Sequence, residues 1–238
     1  MTKVLMVVTS NDRLGDSNLK TGLWASELTH AYEVFEKAGY GITLASIKGG
    51  RPPLDPFSEP DSDVSVEKED QVSRDFFADP VKNAAFGSTA KLADLNPDDY
   101  DVIFYTGGTG TMWDFPDDPD VQRFARRLWD NGKIVSAVCH GSSALTNVTL
   151  ADGSYLVAGR RVTGFSDAEE KVAEDNLTKL GYKFVPWYVQ DRLIERGGIY
   201  DEGAPYSVHV VADGNLITGQ QNSSGGALAE AIVEKLSA

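Results

Sequence analysis

The chain has 238 residues, of which 41% are hydrophobic and 24% charged, and this length and composition are typical of one large soluble α/β domain spanning residues 1–238. Its formal net charge of −14, which no cluster of lysine and arginine interrupts, repels phosphate backbones and anionic membranes, so we expect no nucleic acid and no membrane partner. The single cysteine excludes an intramolecular disulfide framework, and the opening run Met1–Thr9 is too short for a signal peptide or a membrane span, so we expect a cytoplasmic protein.

The first half of the chain predicts two buried strands around one helix, followed by a long insertion. Apolar, β-branched runs predict the strands and helical spacing of apolar residues predicts the helix, which together give strand Val4–Thr9, a helix from Trp24 to Gly39, and strand Gly41–Ile47. Lys48–Asp63 carries four prolines, and weakly helical stretches continue to Ala93. Because loops of this length are usually lids or binding surfaces, we expect residues 48–93 to form an inserted cap.

The second half continues the alternation of strands and helices. The predicted strands are Asp101–Tyr105, Lys133–Val138 and Val162–Gly164, the predicted helices are Val121–Trp129, Glu169–Leu180 and Ala227–Leu236, and the predicted hairpin joins Val208–Ala212 to Leu216–Thr218. This alternation predicts an α/β fold with a doubly wound, mostly parallel sheet and helices on both faces, as in flavodoxin-like proteins. In such a sheet, sites form beyond the carboxyl ends of the strands.

The predicted strand Lys133–Val138 ends at Cys139 and His140, a potential nucleophile beside a potential base. Small residues, Ala137 and Gly141, lie two positions to either side of the cysteine, in the pattern of a strand-to-helix nucleophile elbow. Such a turn strains the backbone of the nucleophile and leaves no room for larger flanking side chains. The N–H groups and dipole of the next helix would favour a thiolate and receive an oxyanion. A buried structural cysteine is the competing interpretation.

Three other segments are candidates for the same site. Gly107–Gly110 has a backbone that a reacting oxygen can approach closely, although a simple tight turn has the same composition. Glu27 lies near the start of the first helix, where burial would make it a tuned acid or base and exposure would make it an ordinary first-turn residue. Ser166–Glu170 either orients His140 or caps its own helix.

The sequence offers no sign of a metal or nucleotide site. The remaining histidines, His30 and His209, do not lie at metal-ligand spacing. The turn Gly107–Gly110 lacks both the Lys-Ser/Thr partner of a phosphate-binding loop and the spacing of a dinucleotide fingerprint. We therefore expect no metal and no cofactor.

Six segments, taken in order, resemble a known family. They are Thr21–Leu28, Lys48–Pro56, Thr111–Pro116, Ala137–Gly141, Thr163–Asp167 and Leu216–Gln220. They resemble the ThiJ/PfpI superfamily, which is similar to class I glutamine amidotransferases, and within it the heat-shock-chaperone-like branch that includes the glutathione-independent glyoxalases called glyoxalase III. The resemblance covers nearly the whole chain.

This resemblance implies a set of roles in an active site. The implied catalytic residues are the nucleophile Cys139, its general acid and base His140, the carboxyl group beside the thiolate Glu27, and the residue that orients the histidine, Glu170. The backbone N–H groups of Gly108 and His140 would form an oxyanion hole, with Thr109 and Gly110 completing the substrate-binding turn. The resemblance also implies a homodimer and a reaction without a cofactor.

Three positions depart from the usual pattern of that branch. Thr109 stands where the branch has histidine, Ser142 where it has proline, and Gln221–Ser224 where it has Asn-Pro-Ala-Ser. A threonine hydroxyl is smaller than an imidazole and cannot serve as a base near neutral pH. The first departure therefore bears on the substrate more than on the type of reaction.

The implied activity is the conversion of a small 2-oxoaldehyde, such as methylglyoxal, to the 2-hydroxy acid through a hemithioacetal on Cys139. Such an activity belongs to methylglyoxal detoxification and the stress response. The same pocket also suits a protein deglycase, and a surface formed at a dimer interface suits a holdase chaperone. The same cysteine is also compatible with a cysteine amidase or peptidase and with a redox-sensing thiol.

Overall fold

A computed structural model describes residues 1–178 and 185–237, and within these ranges no helix is both long and apolar enough to cross a membrane. The strands are β1 (Lys3–Val8), β2 (Gly41–Ser46), β3 (Ala90–Lys91), β4 (Val102–Tyr105), β5 (Ile134–Val138), β6 (Arg161–Val162), β7 (Ile199–Tyr200), β8 (Val210–Asp213) and β9 (Leu216–Gly219). The α-helices are α1 (Ala25–Lys37), α2 (Gln71–Ala78), α3 (Pro80–Gly87), α4 (Thr111–Asp114), α5 (Pro119–Asp130), α6 (Asp167–Thr178), α7 (Val189–Glu195) and α8 (Gly225–Ser237). Segments of 3-10 helix lie at Leu92–Asp94, Pro97–Asp99, Cys139–Leu145 and Asn222–Ser224.

Seven strands form the main sheet, in the order β3-β2-β1-β4-β5-β9-β8. All neighbouring strands are parallel except β8 and β9, which form the predicted antiparallel hairpin. Successive residues of β1 point into two different cores: Leu5 and Val7 pack with residues of α5, whereas Val4 and Met6 pack with residues of α1 and α8. Both faces of the sheet are therefore buried under helices, which confirms the predicted doubly wound, mostly parallel α/β fold.

The structure differs from the prediction mainly beyond the elbow. The strand predicted near Val162 is β6, but it pairs with β7 in a separate two-stranded sheet, and neither β7 nor α7 was predicted. The segment after Cys139 is a 3-10 helix rather than an α-helix, and the hydroxyl groups of Ser142 and Ser143 donate to the carbonyl groups of Thr163 and Thr111. The predicted end of the next helix at Leu180 lies outside the described residues.

The segment 48–93 contains α2, α3 and β3, and β3 extends the main sheet by pairing with β2. The beginning of this segment lies against the chain just before α1. The N–H of Leu23 donates to the carbonyl of Pro53 at 2.9 Å, and the N–H of Asp55 donates to the carbonyl of Leu23 at 2.8 Å. The segment therefore fixes the place at which α1 begins.

The central strand order β1-β4-β5 brings three connecting segments to one edge of the sheet. They begin after Val8, Tyr105 and Val138, at the carboxyl ends of these strands. The second segment contains the turn Gly107–Gly110 and the third begins with Cys139. The candidate residues after β4 and β5 are neighbours for this reason, as the rule for doubly wound sheets predicts.

Candidate active site

Cys139 follows β5 directly and begins a 3-10 helix. Its φ of 58° lies in the left-handed region, which Tyr206 alone shares among the described residues other than glycine. A Cβ atom at Gly141 would lie 2.4 Å from the carbonyl oxygen of Thr106, and Ala137 on the other flank is fully buried. A strained Cys139 beside a glycine that leaves no room for a Cβ atom has the geometry of the predicted elbow.

We expect Gly141→Ala to destabilise the protein. The added methyl group would overlap the Thr106 carbonyl, and the backbone must shift to admit it, an overpacking that costs about 1–3 kcal/mol. In a chain of this size the midpoint of thermal unfolding should fall by about 2–12 °C. Gly226→Ala is the matched control, since a Cβ there would meet only the Cβ of His30 at an ordinary 3.5 Å. Equal midpoints for the two variants would contradict the steric argument.

His140 connects Cys139 to Glu170. Its Nδ1 lies 3.5 Å from Sγ of the cysteine, and its Nε2 lies 2.9 Å from Oε2 of the glutamate. All three residues are buried, and the imidazole packs against the ring of Phe165 with a centroid distance of 4.2 Å. The thiol, the imidazole and the carboxylate thus lie in the order that the predicted catalytic triad requires, and their catalytic roles stay predictions.

Glu27 lies in the first turn of α1 and is fully buried, so the interpretation of an exposed first-turn glutamate is wrong. Its Oε2 accepts the N–H of Gly107 at 2.7 Å. A Cβ atom at Gly107 would lie 2.3 Å from that oxygen and 2.8 Å from Cβ of Cys139, so only glycine lets these groups approach each other. Burial raises the pKa of Glu27 to about 8, and hydrogen bonds with Cys139 and Gly107 offset only part of this effect. Glu27 is therefore mostly protonated at neutral pH.

The ionisation of Cys139 depends on whether Glu27 is protonated. Burial and the negative charge of an ionised Glu27 raise the pKa of the thiol, while the backbone N–H of His140 lowers it. The backbone N–H favours the thiolate, as predicted, but loss of hydration around the sulfur outweighs it. A protonated Glu27 no longer repels the sulfur and can donate a hydrogen bond to it. A neutral Glu27 thus makes the thiolate easier to form than an ionised Glu27 does.

The turn after β4 is pressed against the chain that precedes α1. Gly108 has a φ of 95°, and a Cβ atom there would lie 2.3 Å from the carbonyl oxygen of Gly22 and 2.4 Å from the nitrogen of Trp24. Glycine is required at this position on both grounds. An oxyanion hole formed by the N–H groups of Gly108 and His140 is compatible with this geometry and stays a prediction.

Thr109 and Gly110 continue the same turn into α4. Thr109 is 4% exposed, and its carbonyl oxygen accepts the N–H of Met112 at 3.1 Å. The N–H of Gly110 donates to the carbonyl of Gly22 at 3.3 Å. Backbone contacts hold both residues in place, and their role in binding substrate stays a prediction.

Two further buried acids lie near the site: Glu169 belongs to the predicted segment Ser166–Glu170, and sequence reasoning missed Asp55. Glu169 accepts hydrogen bonds from the N–H and hydroxyl of Ser166 at 3.2 and 2.8 Å, and from the amide of Gln220 at 3.2 Å. The spacing Ser-x-x-Glu is a capping box, and it is the signal that identifies this acid. Asp55 accepts the hydroxyl of Thr21 at 3.0 Å, and no local pattern reveals that it is buried. Ser166–Glu170 therefore fits both interpretations: it caps α6, and it places the carboxylate of Glu170 beside His140.

The two other histidines pair with carboxylates. His30 lies 2.9 Å from Asp70, and His209 lies 3.1 Å from Asp201. Within residues 1–178 and 185–237, no group of three or more His, Cys, Asp and Glu side chains is placed to hold a metal ion. Each histidine therefore has a partner within the fold.

Comparison with known proteins identifies the family. The sequence model of the DJ-1/PfpI family matches residues 19–235, a range that includes Glu27, Cys139, His140 and Glu170. The chain belongs to the DJ-1/PfpI family. This result confirms the resemblance to the ThiJ/PfpI superfamily that six sequence segments indicated.

Within the DJ-1/PfpI family, this chain is similar to proteins from a yeast and a bacterium over nearly its whole length. It is 34% identical to Glyoxalase 3 of Candida albicans over 239 residues, which cover 98% of each chain. The crystal structure of glyoxalase III from Candida albicans matches with a TM-score of 0.83 and 32% identity, over 98% of this chain and 96% of that chain. The X-ray structure of the Rapid Encystment Protein 24 KDa of Francisella tularensis matches with a TM-score of 0.90 and 37% identity, over 99% of both chains.

Proposed function

We propose that this protein is a glutathione-independent glyoxalase that converts methylglyoxal, or a related small 2-oxoaldehyde, to the 2-hydroxy acid. The observation that carries the proposal is a buried Glu27, protonated at neutral pH, beside Cys139. The thiol of Cys139 also contacts His140, which in turn contacts Glu170. Such a site offers a nucleophile for the aldehyde and a separate acid–base group for the carbon-bound proton. The similarity to Glyoxalase 3 of Candida albicans supports the same reaction.

The reaction begins at the thiol. The proton of Cys139 passes to Nδ1 of His140, and Glu170 stabilises the imidazolium that forms. The thiolate adds to the aldehyde carbon, and the oxygen that becomes negative is received by the N–H groups of Gly108 and His140. Glu27 then donates its proton to this oxygen. A hemithioacetal and a Glu27 carboxylate result.

The carboxylate of Glu27 next acts as the base. It removes the proton from C1 of the hemithioacetal and returns it to C2 through an enediol, while the hydroxyl proton passes from the oxygen on C1 to the oxygen on C2. The product is a 2-hydroxyacyl thioester of Cys139. Glu27 takes a proton from water as the hydroxide adds to the thioester, and the departing thiolate recovers its proton from His140. Every side chain returns to its starting state, and the acid leaves without the help of a cofactor.

The domain organisation, the substrate-binding turn, the location and the oligomeric state are proposals that rest mainly on the sequence. We propose that residues 1–238 form a single domain in which residues 48–93 are a cap, and that the turn Gly108–Gly110 binds the carbonyl substrate. The contacts of this cap with the chain before α1 support the first proposal. We also propose that the protein works in the cytoplasm as a homodimer.

The test is the loss of methylglyoxal and the formation of lactate by purified protein, without glutathione or added metal. Lactate formed in equal amount to the methylglyoxal consumed would support the proposal. A folded protein without turnover would overturn it. Suppression of the aggregation of an unfolded client, measured on the same preparation, would then favour a holdase chaperone, and release of a glycated amine would favour a deglycase.

We expect kcat/KM for methylglyoxal to fall as the pH rises above about 8. Below this value Glu27 holds the proton that it must donate, whereas above it the carboxylate repels the thiolate of Cys139. Initial rates measured from about pH 6 to pH 10 would show this limb, with circular dichroism over the same range to confirm that the fold persists. A level profile up to the alkaline end would contradict the assignment of the acid to Glu27.

A further inference from the structure

A carboxylate of the cap reaches the start of the helix that carries Glu27. Oε1 of Glu67 accepts three hydrogen bonds, from Nε1 of Trp24 at 2.8 Å, Oγ of Ser26 at 2.9 Å and Nδ2 of Asn222 at 2.8 Å. Its second oxygen, Oε2, is buried and has no hydrogen-bond partner in the described part of the chain. One carboxylate therefore joins the cap, the N-terminal end of α1 and the 3-10 turn before α8.

The partners of Glu67 on α1 lie next to the candidate active site. Trp24 stands three residues before Glu27, and its backbone N–H donates to the carbonyl of Gly107 at 3.4 Å. The same nitrogen lies 2.4 Å from the position that a Cβ atom of Gly108 would take. Trp24 therefore contacts the turn Gly107–Gly110 through its backbone and the carboxylate of Glu67 through its indole.

Glu27 interacts with Cys139 of the elbow and with Glu67 of the cap, and the carboxylate of Glu169 also opposes ionisation of Cys139. On α1, His30 pairs with Asp70 of the cap. No lysine or arginine among the described residues lies within ion-pair distance of Glu67. Burial first, and the negative charge of Glu67 to a smaller degree, raise the pKa of Glu27.

We propose that Glu67 is a positioning residue of this site: its carboxylate fixes the start of α1 through Trp24 and Ser26, and so holds Glu27 in place beside Cys139. The kinetic consequence rests on the proposed function, but the effect on Cys139 does not, because a neutral Glu27 favours the thiolate whatever the substrate. A residue of the cap thereby contributes to the acid–base chemistry of the site.

The test compares Glu67→Gln with Glu69→Gln. Glutamine keeps an oxygen that accepts hydrogen bonds and removes the charge, and Glu69 is an exposed acid two positions along the same segment. The first readout is the rate at which iodoacetamide alkylates Cys139, the single cysteine of the chain, as a function of pH. The second readout is kcat and KM for methylglyoxal, and thermal unfolding monitors the fold.

Loss of the charge at Glu67 lets Glu27 ionise at a lower pH, and the Glu27 carboxylate then opposes ionisation of Cys139 from a lower pH upward. Alkylation of Cys139 near neutral pH should slow by about 3- to 10-fold in Glu67→Gln, with its midpoint displaced upward by about half to one pH unit. We expect kcat to fall with it and KM to change less. Glu69→Gln should match the wild type in every readout.

A wild-type alkylation profile together with wild-type kcat in a folded Glu67→Gln would overturn the inference. If the wild type consumes no methylglyoxal, the proposed function fails, yet the alkylation profiles still decide the role of Glu67. Should Glu67→Gln fail to fold, Trp24→Phe is the second variant, because it removes the indole N–H and keeps an aromatic ring. Wild-type alkylation and turnover in Trp24→Phe would likewise overturn the inference.

Discussion

Replacing Cys139 with alanine will reduce kcat for methylglyoxal by at least about 1,000-fold, as expected when a covalent nucleophile is removed. Both proposed intermediates, the hemithioacetal and the thioester, form on this sulfur, and the chain has no second cysteine to replace it. Alanine keeps the Cβ atom, so the cost of the left-handed φ of 58° is the same in the variant as in the wild type. The loss of activity should therefore occur without loss of the fold.

The measurement is lactate formation by Cys139→Ala beside the wild type, with thermal unfolding as the control for structure. Cys139→Ser is a useful companion, because a hydroxyl group fills the same space and ionises far less readily than a thiol. Retention of more than about one per cent of wild-type turnover by the alanine variant would show that the reaction proceeds without a covalent bond. A holdase activity, by contrast, would survive both substitutions.

The parts of this site that sequence reasoning found are those that a short segment encodes. Ala137 and Gly141 flank Cys139 because the elbow admits only small side chains, and this steric rule acts within five residues. The sheet was predictable for a similar reason, since each buried strand carries its own run of apolar, β-branched residues. The pairing of β6 with β7 outside the main sheet was not, because strands of two residues carry too little pattern to specify a partner.

The electrostatics of the site could not be predicted in the same way. Whether Glu27 is neutral depends on complete burial and on the charge of Glu67, and both follow from how distant segments pack together. The sequence pattern predicted the N–H group that favours the thiolate, but it did not predict the loss of hydration that outweighs this group. The resemblance to a family placed Glu27 beside Cys139 but carried no information about its proton.

Replacing Glu27 with glutamine will reduce kcat by about 100- to 10,000-fold, the usual contribution of a general acid–base group. The amide has nearly the shape of the carboxyl group and can still accept the N–H of Gly107 through its oxygen, so the turn should keep its place. It cannot give a proton to the oxyanion or take one from C1. Glu33→Gln, on the exposed side of the same helix, is the matched control and should retain wild-type turnover.

Alkylation of Cys139 separates the two tasks assigned to Glu27. Glutamine is neutral at every pH and its N–H group can face the sulfur, so Glu27→Gln should react with iodoacetamide near neutral pH at a rate close to that of the wild type while turnover is lost. Above about pH 8 the variant should react faster than the wild type, because no carboxylate then repels the thiolate. Parallel loss of alkylation and turnover would mean that Glu27 serves the thiolate alone and that another group moves the carbon-bound proton.

Stability should respond to the same substitution in the opposite sense. Burial raises the pKa of Glu27 from 4.5 in the unfolded chain to about 8 in the fold, so the folded state holds this proton more tightly. The stability that this proton contributes is complete below about pH 4.5 and is lost as the pH rises through about 8. Glutamine does not titrate, so the free energy of unfolding of Glu27→Gln, relative to that of the wild type, should increase across this interval. Denaturant unfolding at several pH values measures the difference, and a constant difference would place the ionisation on another residue. Glu27→Gln should therefore gain stability relative to the wild type and lose turnover, because ionisation of the buried Glu27 destabilises the wild-type fold while its proton takes part in the reaction.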